Sequence, residues 1–261
     1  MLDQILRDEG IPILQDAGLK TKEASQWLEN VQTRVFGNSE LTKEAHDCER
    51  LCQTARACLQ KMPLKSERNL KQEQAGSLLV QEMAGLCLRF TRAWRKTLFE
   101  ESERIAGPFP RLEALAESAS KLCPGIYPSQ KEILTEQNKL LRDKDGLELH
   151  QGILFSQWFS DPELGQKMIR NMRRPTQRSL ELQEEFLKTG KADLKYSRIE
   201  IVNGAATVFF SNPEYLNAED DTTLEPTETA VDLVLLNPEV KVGVLRGDLV
   251  HHPKYSGRRL F

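Results

Sequence analysis

Apolar positions along most of this chain recur every three to four residues, and near Tyr196 the period changes to two. The first twenty residues are short and mixed, with a helix before Gly10 and a break at Pro12. Trp27, Leu28, Val31 and Val35 then share one face of a helix capped by Thr21, and Gly37-Asn38 stops it near Phe36. Ser39 caps the next helix, with a stripe of Leu41, Ala45, Cys48, Leu51, Cys52, Ala55, Cys58 and Met62 that Pro63 terminates. Ser66 opens a long helix to about Ile105, carrying Leu70, Leu78, Leu79, Met83, Leu86, Cys87, Phe90, Trp94 and Leu98. That stripe is too wide and irregular for a dimeric coiled coil and predicts a helix inside a bundle. Gly107-Pro108-Phe109-Pro110 breaks it. Further helices follow over Arg111–Leu122, from a Ser129 cap to about Arg142, from Leu147 through Trp158 and Phe159, from Asp161-Pro162 to about Met172, and over Gln177–Lys188 with Gly190 as its stop.

Beyond Tyr196, Arg198–Val202 and Ala206–Ser211 read as strands joined by Asn203-Gly204, a pair that tolerates positive φ and closes a tight hairpin. A polar loop, Asn212–Asp221, leads to a helix over about Leu224–Leu236, opened by the capping-box spacing Thr222-Thr223-Leu224-Glu225. Pro226 then falls in the first turn, where proline is tolerated. Val240–Leu245 is apolar apart from Lys241 and reads as a strand buried on both faces. The predicted fold class is α + α/β: a helical domain over residues 1–195, then a β-β-α-β start of a layered domain over residues 196–261.

Composition narrows the classes. The 261 residues carry a formal charge of −3 with 29% charged residues, so no basic excess points to nucleic acid. No apolar run reaches the length of a membrane span, and no basic region with an apolar block opens the chain, so a cytoplasmic protein is expected. Five cysteines, an odd number, argue against a disulfide framework. His46, Cys48 and Cys52 lack a second ligand pair for zinc, so the cysteines read as small core residues and no metal is expected. The charge runs and the Phe90/Trp94 pair of the long helix read as its solvated face and its core.

Four blocks after Ser197 carry a resemblance: Asn212-Pro213-Glu214-Tyr215-Leu216-Asn217-Ala218-Glu219-Asp220-Asp221, Glu228-Thr229-Ala230-Val231-Asp232-Leu233, Val242-Gly243-Val244-Leu245-Arg246-Gly247 and His252-Pro253-Lys254-Tyr255-Ser256-Gly257-Arg258-Arg259. In this order and spacing they resemble the opening of the crotonase (enoyl-CoA hydratase/isomerase) superfamily, in its cofactor-independent dioxygenase branch from antibiotic biosynthesis. The resemblance is sharp over Ser197–Phe261, looser over about His150–Leu194, and architectural before that. It implies an enzyme that oxidises an arylacetyl-CoA thioester with dioxygen, needing no metal or organic cofactor and forming a homo-oligomer. It also implies substrate contacts at Pro213, Glu219, His252, Pro253, Lys254 and Tyr255. Glu219 would accept a phenol hydrogen bond, Lys254 would meet coenzyme A phosphates and Tyr255 would pack on adenine. For Asp220 and Asp221 the residues themselves favour helix capping over cation binding, and for Arg258 and Arg259 either structural ion pairs or added positive potential.

In that superfamily the Arg258-Arg259 region leads into a glycine-rich loop that supplies an oxyanion-hole N–H, which this sequence does not contain. The expectation is an N-terminal portion of a longer enzyme, inactive alone, with its third strand lacking sheet neighbours and presenting an apolar surface. Two other readings stay open: a hydratase or isomerase on the same scaffold, and a helical interaction module carrying a crotonase remnant.

Overall fold

In a computed structural model the protein is described over residues 2–255 and 257–260, with side chains from residue 9 onward. Ser256 and Phe261 of the motifs above therefore lie outside the described residues. The chain divides into two compact units, Met1–Met172 and Arg173–Phe261. Among the described residues no helix is long and apolar enough to cross a membrane.

The first unit is helical: α1 (Leu2–Asp16), α2 (Thr21–Thr33), α3 (Leu41–Lys61), α4 (Leu70–Ala106), α5 (Leu112–Leu122), α6 (Gln130–Gln137), α7 (Leu149–Phe159) and α8 (Pro162–Met172). α4 is its axis, packing on α1, α2, α3, α5 and α7. Its 37 residues make a rod of about 55 Å at 1.5 Å per residue. The buried face of α4 (Leu79, Met83, Leu86, Cys87, Phe90, Leu98) meets Leu28, Cys48, Cys52, Leu115 and Trp158 in one continuous core. Phe36 stands edge-on to Phe90 and Trp158 edge-on to Phe99, each pair at 5.4 Å between centroids. This is the electrostatically favoured arrangement of two aromatic rings. Trp94 is only half buried, and its indole N–H donates to Glu44 Oε2 at 2.7 Å.

Several boundaries differ from those read off the sequence. α1 runs through Pro12 instead of breaking there. The ring lies on the solvent face, where the carbonyl left without a donor can be hydrated. α2 ends at Thr33, and Thr21 is its first helical residue, with Glu23 accepting the Lys20 N–H at 3.0 Å. α4 begins after Asn69 because Asn69 and Gln72 exchange hydrogen bonds in a capping box (3.0 and 3.1 Å), and Ser66 falls in a separate 3-10 turn. α6 is capped by Ser129 as expected but stops at Gln137. There the Glu136 carboxylate takes the N–H groups of Asp145 and Gly146, and Leu141–Asp143 becomes a 3-10 turn.

The second unit holds α9 (Gln177–Thr189), β1 (Ser197–Val202), β2 (Ala205–Phe210), α10 (Asp221–Leu235) and β3 (Val242–Gly247). β1 and β2 are antiparallel, from Ser197↔Phe210 to Val202↔Ala205, around Asn203 (φ 52°) and Gly204 (φ 79°). Two consecutive positive φ values make the turn whose twist matches the strands it joins. β3 lies parallel to β2, from Ala205↔Val242 to Phe210↔Gly247. Ala206 and Val208 face Ala230, Leu233 and Val234 of α10 and Phe186 of α9.

Here too the structure corrects the sequence. The boundary between units precedes α9, whereas the change of period falls after it. The reason is the Asp232 carboxylate of α10, which accepts the Thr176 N–H at 2.6 Å and the Ser179 hydroxyl at 3.2 Å and so fastens the start of α9 to α10. α10 starts at Asp221, capped by Asp220 and not by Thr222, so Pro226 lies in its second turn. The carbonyl that Pro226 leaves unpaired is that of Thr222, on the exposed side. β3 is not buried on both faces: Val242, Val244 and Leu245 are 53%, 48% and 42% exposed, because β3 pairs only with β2 among the described residues. An apolar run within one strand does not say whether a neighbour exists. The observed fold is a helical unit followed by a helical layer on a three-stranded mixed sheet.

Candidate functional site

β2 and β3 run in the same direction, so the loops that follow them emerge from one edge of the sheet, and the Asp248 N–H donates to Phe210 O at 2.7 Å across it. This carboxyl edge is where ligands gather in open α/β sheets. The loop after β2 is built on two buried asparagines. Asn212 N–H donates to Asn217 Oδ1 (2.9 Å), Asn217 N–H returns to Asn212 O (2.8 Å), and the Asn212 amide donates to Ala218 O and Asp220 Oδ2 (2.8 and 3.0 Å). Leu216 and Asn217 take positive φ values of 56° and 64°. Asparagine accepts that region far more readily than leucine. The Asn217 Nδ2 then donates to Asp248 O and Leu260 O at 2.9 and 3.0 Å, tying this loop to the one after β3.

Asp248 organises the second loop. Its carboxylate receives Arg198 through two bonds of 2.9 and 3.0 Å and Arg259 at 3.1 Å. The bond from Arg198 chiefly holds its carboxyl below the usual aspartate range. Both guanidiniums also cover the Phe209 ring, at 3.7 and 5.0 Å from its centroid. Arg259 thus makes a structural ion pair, while Arg258 is exposed. The turn itself closes through Val250 N–H to Arg258 O (3.0 Å) and Gly257 N–H to Val250 O (3.2 Å), with Gly257 at φ 76°. Inside it, His252 Nδ1 accepts the Lys254 N–H (3.1 Å) and His252 O accepts the Tyr255 N–H (2.9 Å). The His252 and Tyr255 rings stack at 5.3 Å, and Lys254 Nζ lies 5.1 Å from the Tyr255 centroid.

The residues singled out from the sequence fall in these two loops. Pro213 opens a single 3-10 turn and is exposed, as is Glu219, which has no ion-pair partner among the described residues. Pro253 and Lys254 are exposed; His252 and Tyr255 are half buried. The Tyr255 ring is occupied by its own neighbours, so an adenine could pack on it only after Lys254 or His252 moves. Asp220 caps α10, accepting the Thr222 N–H and hydroxyl at 2.9 and 2.6 Å, and the Thr222 hydroxyl chiefly lowers its pKa. Asn212, Asn217, Arg198 and Asp248 had not been singled out. Their signal, a polar pair in a loop and one acid at a strand end, acquires meaning only with the register of β2 against β3.

Elsewhere the cysteines are all buried. Burial pushes the Cys52 thiol up to about 11 and the Cys48, Cys87 and Cys123 thiols far above their ordinary value. Among the described residues no group of three His, Cys, Asp or Glu side chains could hold a metal ion.

No family model matches the chain. Over 200 residues, 77% of its length, it is 34% identical to the (3,5-dihydroxyphenyl)acetyl-CoA 1,2-dioxygenase of Amycolatopsis orientalis. The matched region spans 46% of that relative, so the chain covers about half the length of the curated relative it matches. The chain is thus a homologue, over that half, of a dioxygenase named for an arylacetyl-CoA substrate.

Proposed function

We propose that the chain is part of a crotonase-type enzyme that oxidises (3,5-dihydroxyphenyl)acetyl-CoA to 3,5-dihydroxyphenylglyoxylate and free coenzyme A, with dioxygen and without metal or organic cofactor. The 34% identity over 200 residues is the observation that carries this reading. In the reaction, a proton leaves the carbon next to the thioester carbonyl. The resulting enolate adds dioxygen at that carbon as a peroxide, whose outer oxygen closes on the thioester carbon and expels the thiolate. The O–O bond of the four-membered ring then breaks as the carbon's second proton leaves, giving the ketone and the carboxylate. The atoms balance: the thioester and dioxygen give the oxo acid and the thiol.

The residues at the carboxyl edge of β2 and β3 would bind rather than react. Lys254 offers an exposed ammonium to coenzyme A phosphates. Glu219 offers an exposed carboxylate, unpaired among the described residues, to a phenol hydroxyl, and Pro213 offers a carbonyl and an apolar ring. His252, Pro253 and Tyr255 form the stacked turn beside the coenzyme. The N–H donors that hold the enolate oxygen are worth roughly 3 kcal/mol each in such sites, and we place them outside these 261 residues. Residues 1–261 should therefore bind the thioester without turning it over.

Oxygen consumption tests the reading. The chain joined to the remaining half of the Amycolatopsis relative should take up dioxygen only when (3,5-dihydroxyphenyl)acetyl-CoA is added, and should release free thiol in equal amount. Hydration or isomerisation of an enoyl-CoA without oxygen uptake would assign it to the hydratase chemistry instead.

A further inference from the structure

A cavity of about 550 Å³ lies in the helical unit, between the end of α3, the segment 62–68, α4, α6 and the start of α7. Its size falls within the roughly 300–1,000 Å³ of small-molecule sites, and it shares no residue with the site described above. The floor is apolar, formed by Leu59, Met62, Val80, Met83 and Leu147. The walls are held by buried polar contacts. Arg68, with a side chain 2% exposed, lies on Asp145 through bonds of 2.8 and 3.2 Å. Asp143 accepts the Ser66 N–H at 3.1 Å, and Glu136 accepts the Asp145 N–H at 2.7 Å. Gly76 makes room for this frame, since a Cβ there would stand 2.7 Å from Arg68 Nη1.

The charges on these walls are unequally satisfied. Each lining carboxylate is engaged: Glu132 by Arg56 (3.1 Å) and Ser129, Glu136 by backbone N–H groups, Asp143 by Ser66 and Asp145 by Arg68. Of the five lining cations, Arg68 is engaged by Asp145 and Lys139 by Glu136 (3.9 Å), and the other three are less satisfied. Arg56 keeps Nε and Nη2 buried with no acceptor among the described residues. Lys65 and Lys131, which line the same cavity, have no carboxylate partner among them. Buried donors without partners are rare enough in folded proteins to call for a ligand or water. His150 adds no charge here: burial lowers its pKa, and its Nδ1 is committed to Ile126 O at 2.6 Å.

We propose that this cavity binds a small monocarboxylate with an apolar body, its carboxylate met by Lys65 and Lys131 beside Arg56 and its body resting on Leu59, Val80 and Met83. Four lining carboxylates nearly balance the five lining cations (Arg56, Lys65, Arg68, Lys131 and Lys139), which suits a single negative charge and disfavours a polyanion such as coenzyme A or a nucleotide. The inference rests on the helical unit alone and is independent of the function proposed above.

The test titrates the whole chain with phenylacetate by calorimetry, with phenylacetamide as the neutral analogue and free coenzyme A as competitor. Phenylacetate should occupy a single saturable site, and phenylacetamide should bind about tenfold more weakly for want of the charge-assisted bonds. Lys65→Ala with Lys131→Ala should weaken phenylacetate about tenfold without lowering the melting temperature. Val80→Trp should fill the floor and abolish binding. Failure of phenylacetate to saturate, equal affinity for the amide, displacement by coenzyme A, or full affinity in the lysine variant would each overturn the proposal. If Val80→Trp does not fold, the surface lysine variant decides alone.

Discussion

Replacing Asn217 with alanine should release the loop after β2 from the loop after β3. Asn217 is buried and its amide makes three bonds: it accepts from Asn212 N–H at 2.9 Å and donates to Asp248 O and Leu260 O at 2.9 and 3.0 Å. A typical bond of this kind contributes about 1 kcal/mol net, and a buried donor left unpaired, here the Asn212 N–H, costs about 1–3 kcal/mol. Alanine must also hold φ at 64°, which adds about 1 kcal/mol over a residue that tolerates it. Allowing for rearrangement, the expected loss is about 3–4 kcal/mol of local stability. Because the chain holds two units, a single unfolding transition is not assured, and native-state hydrogen exchange read residue by residue is the right assay. Exchange at Asn212 and Asp248 should accelerate by two orders of magnitude or more, at 1.4 kcal/mol per factor of ten, while α4 stays protected. Asn217→Gly removes the same amide but relieves the backbone, so it should recover about 1 kcal/mol relative to alanine. If Asn217→Ala shifts exchange at Asn212 by less than threefold, the two loops are not coupled through this side chain.

Other outcomes follow from the same contacts. Glu44 accepts Gly37 N–H (2.8 Å), Asn38 N–H (3.2 Å) and Trp94 Nε1–H (2.7 Å), so Glu44→Ala should destabilise the helical unit by about 2–4 kcal/mol, seen as a lower melting temperature with a shifted Trp fluorescence maximum. The Asp248 carboxyl has a folded pKa depressed below its unfolded value near 3.8. It therefore contributes stability above that value that is lost as pH falls through the folded pKa. Protection at the β3 end should weaken below about pH 4, and Asp248→Asn should remove that dependence; an unchanged acid profile would contradict the ion-pair assignment. The five buried thiols should resist a disulfide reagent at pH 8 until the chain unfolds, and rapid labelling of any of them in the native protein would contradict the core.

The helical unit was legible because its burial follows a 3.6-residue period that survives without knowledge of neighbours: Leu79, Met83, Leu86 and Phe90 are all core. The Asn203-Gly204 hairpin was legible because few pairs tolerate two positive φ values. What was not legible depended on distant partners. The exposure of Val242 and Val244 depends on which strands flank β3, and the allegiance of α9 depends on where the Asp232 carboxylate points. Pro226 was misplaced because the Asp220 cap and the Thr222 box, two residues apart, compete and only geometry chooses between them. Of the candidate site, the motifs marked the loop positions Pro213, Glu219 and His252–Tyr255, whereas the asparagine and arginine frame of the same loops became visible only with the parallel register. The cavity in the helical unit gathers Arg56, Lys65 and Lys131 from segments far apart in sequence, which no local pattern marks.

The most direct test of the account is hydrogen exchange of the 261-residue chain with and without (3,5-dihydroxyphenyl)acetyl-CoA. Binding at the carboxyl edge of β2 and β3 predicts added protection confined to the 212–219 and 252–255 loops, lost in Lys254→Ala. Protection appearing only in the helical unit, or none at saturating thioester, would contradict it.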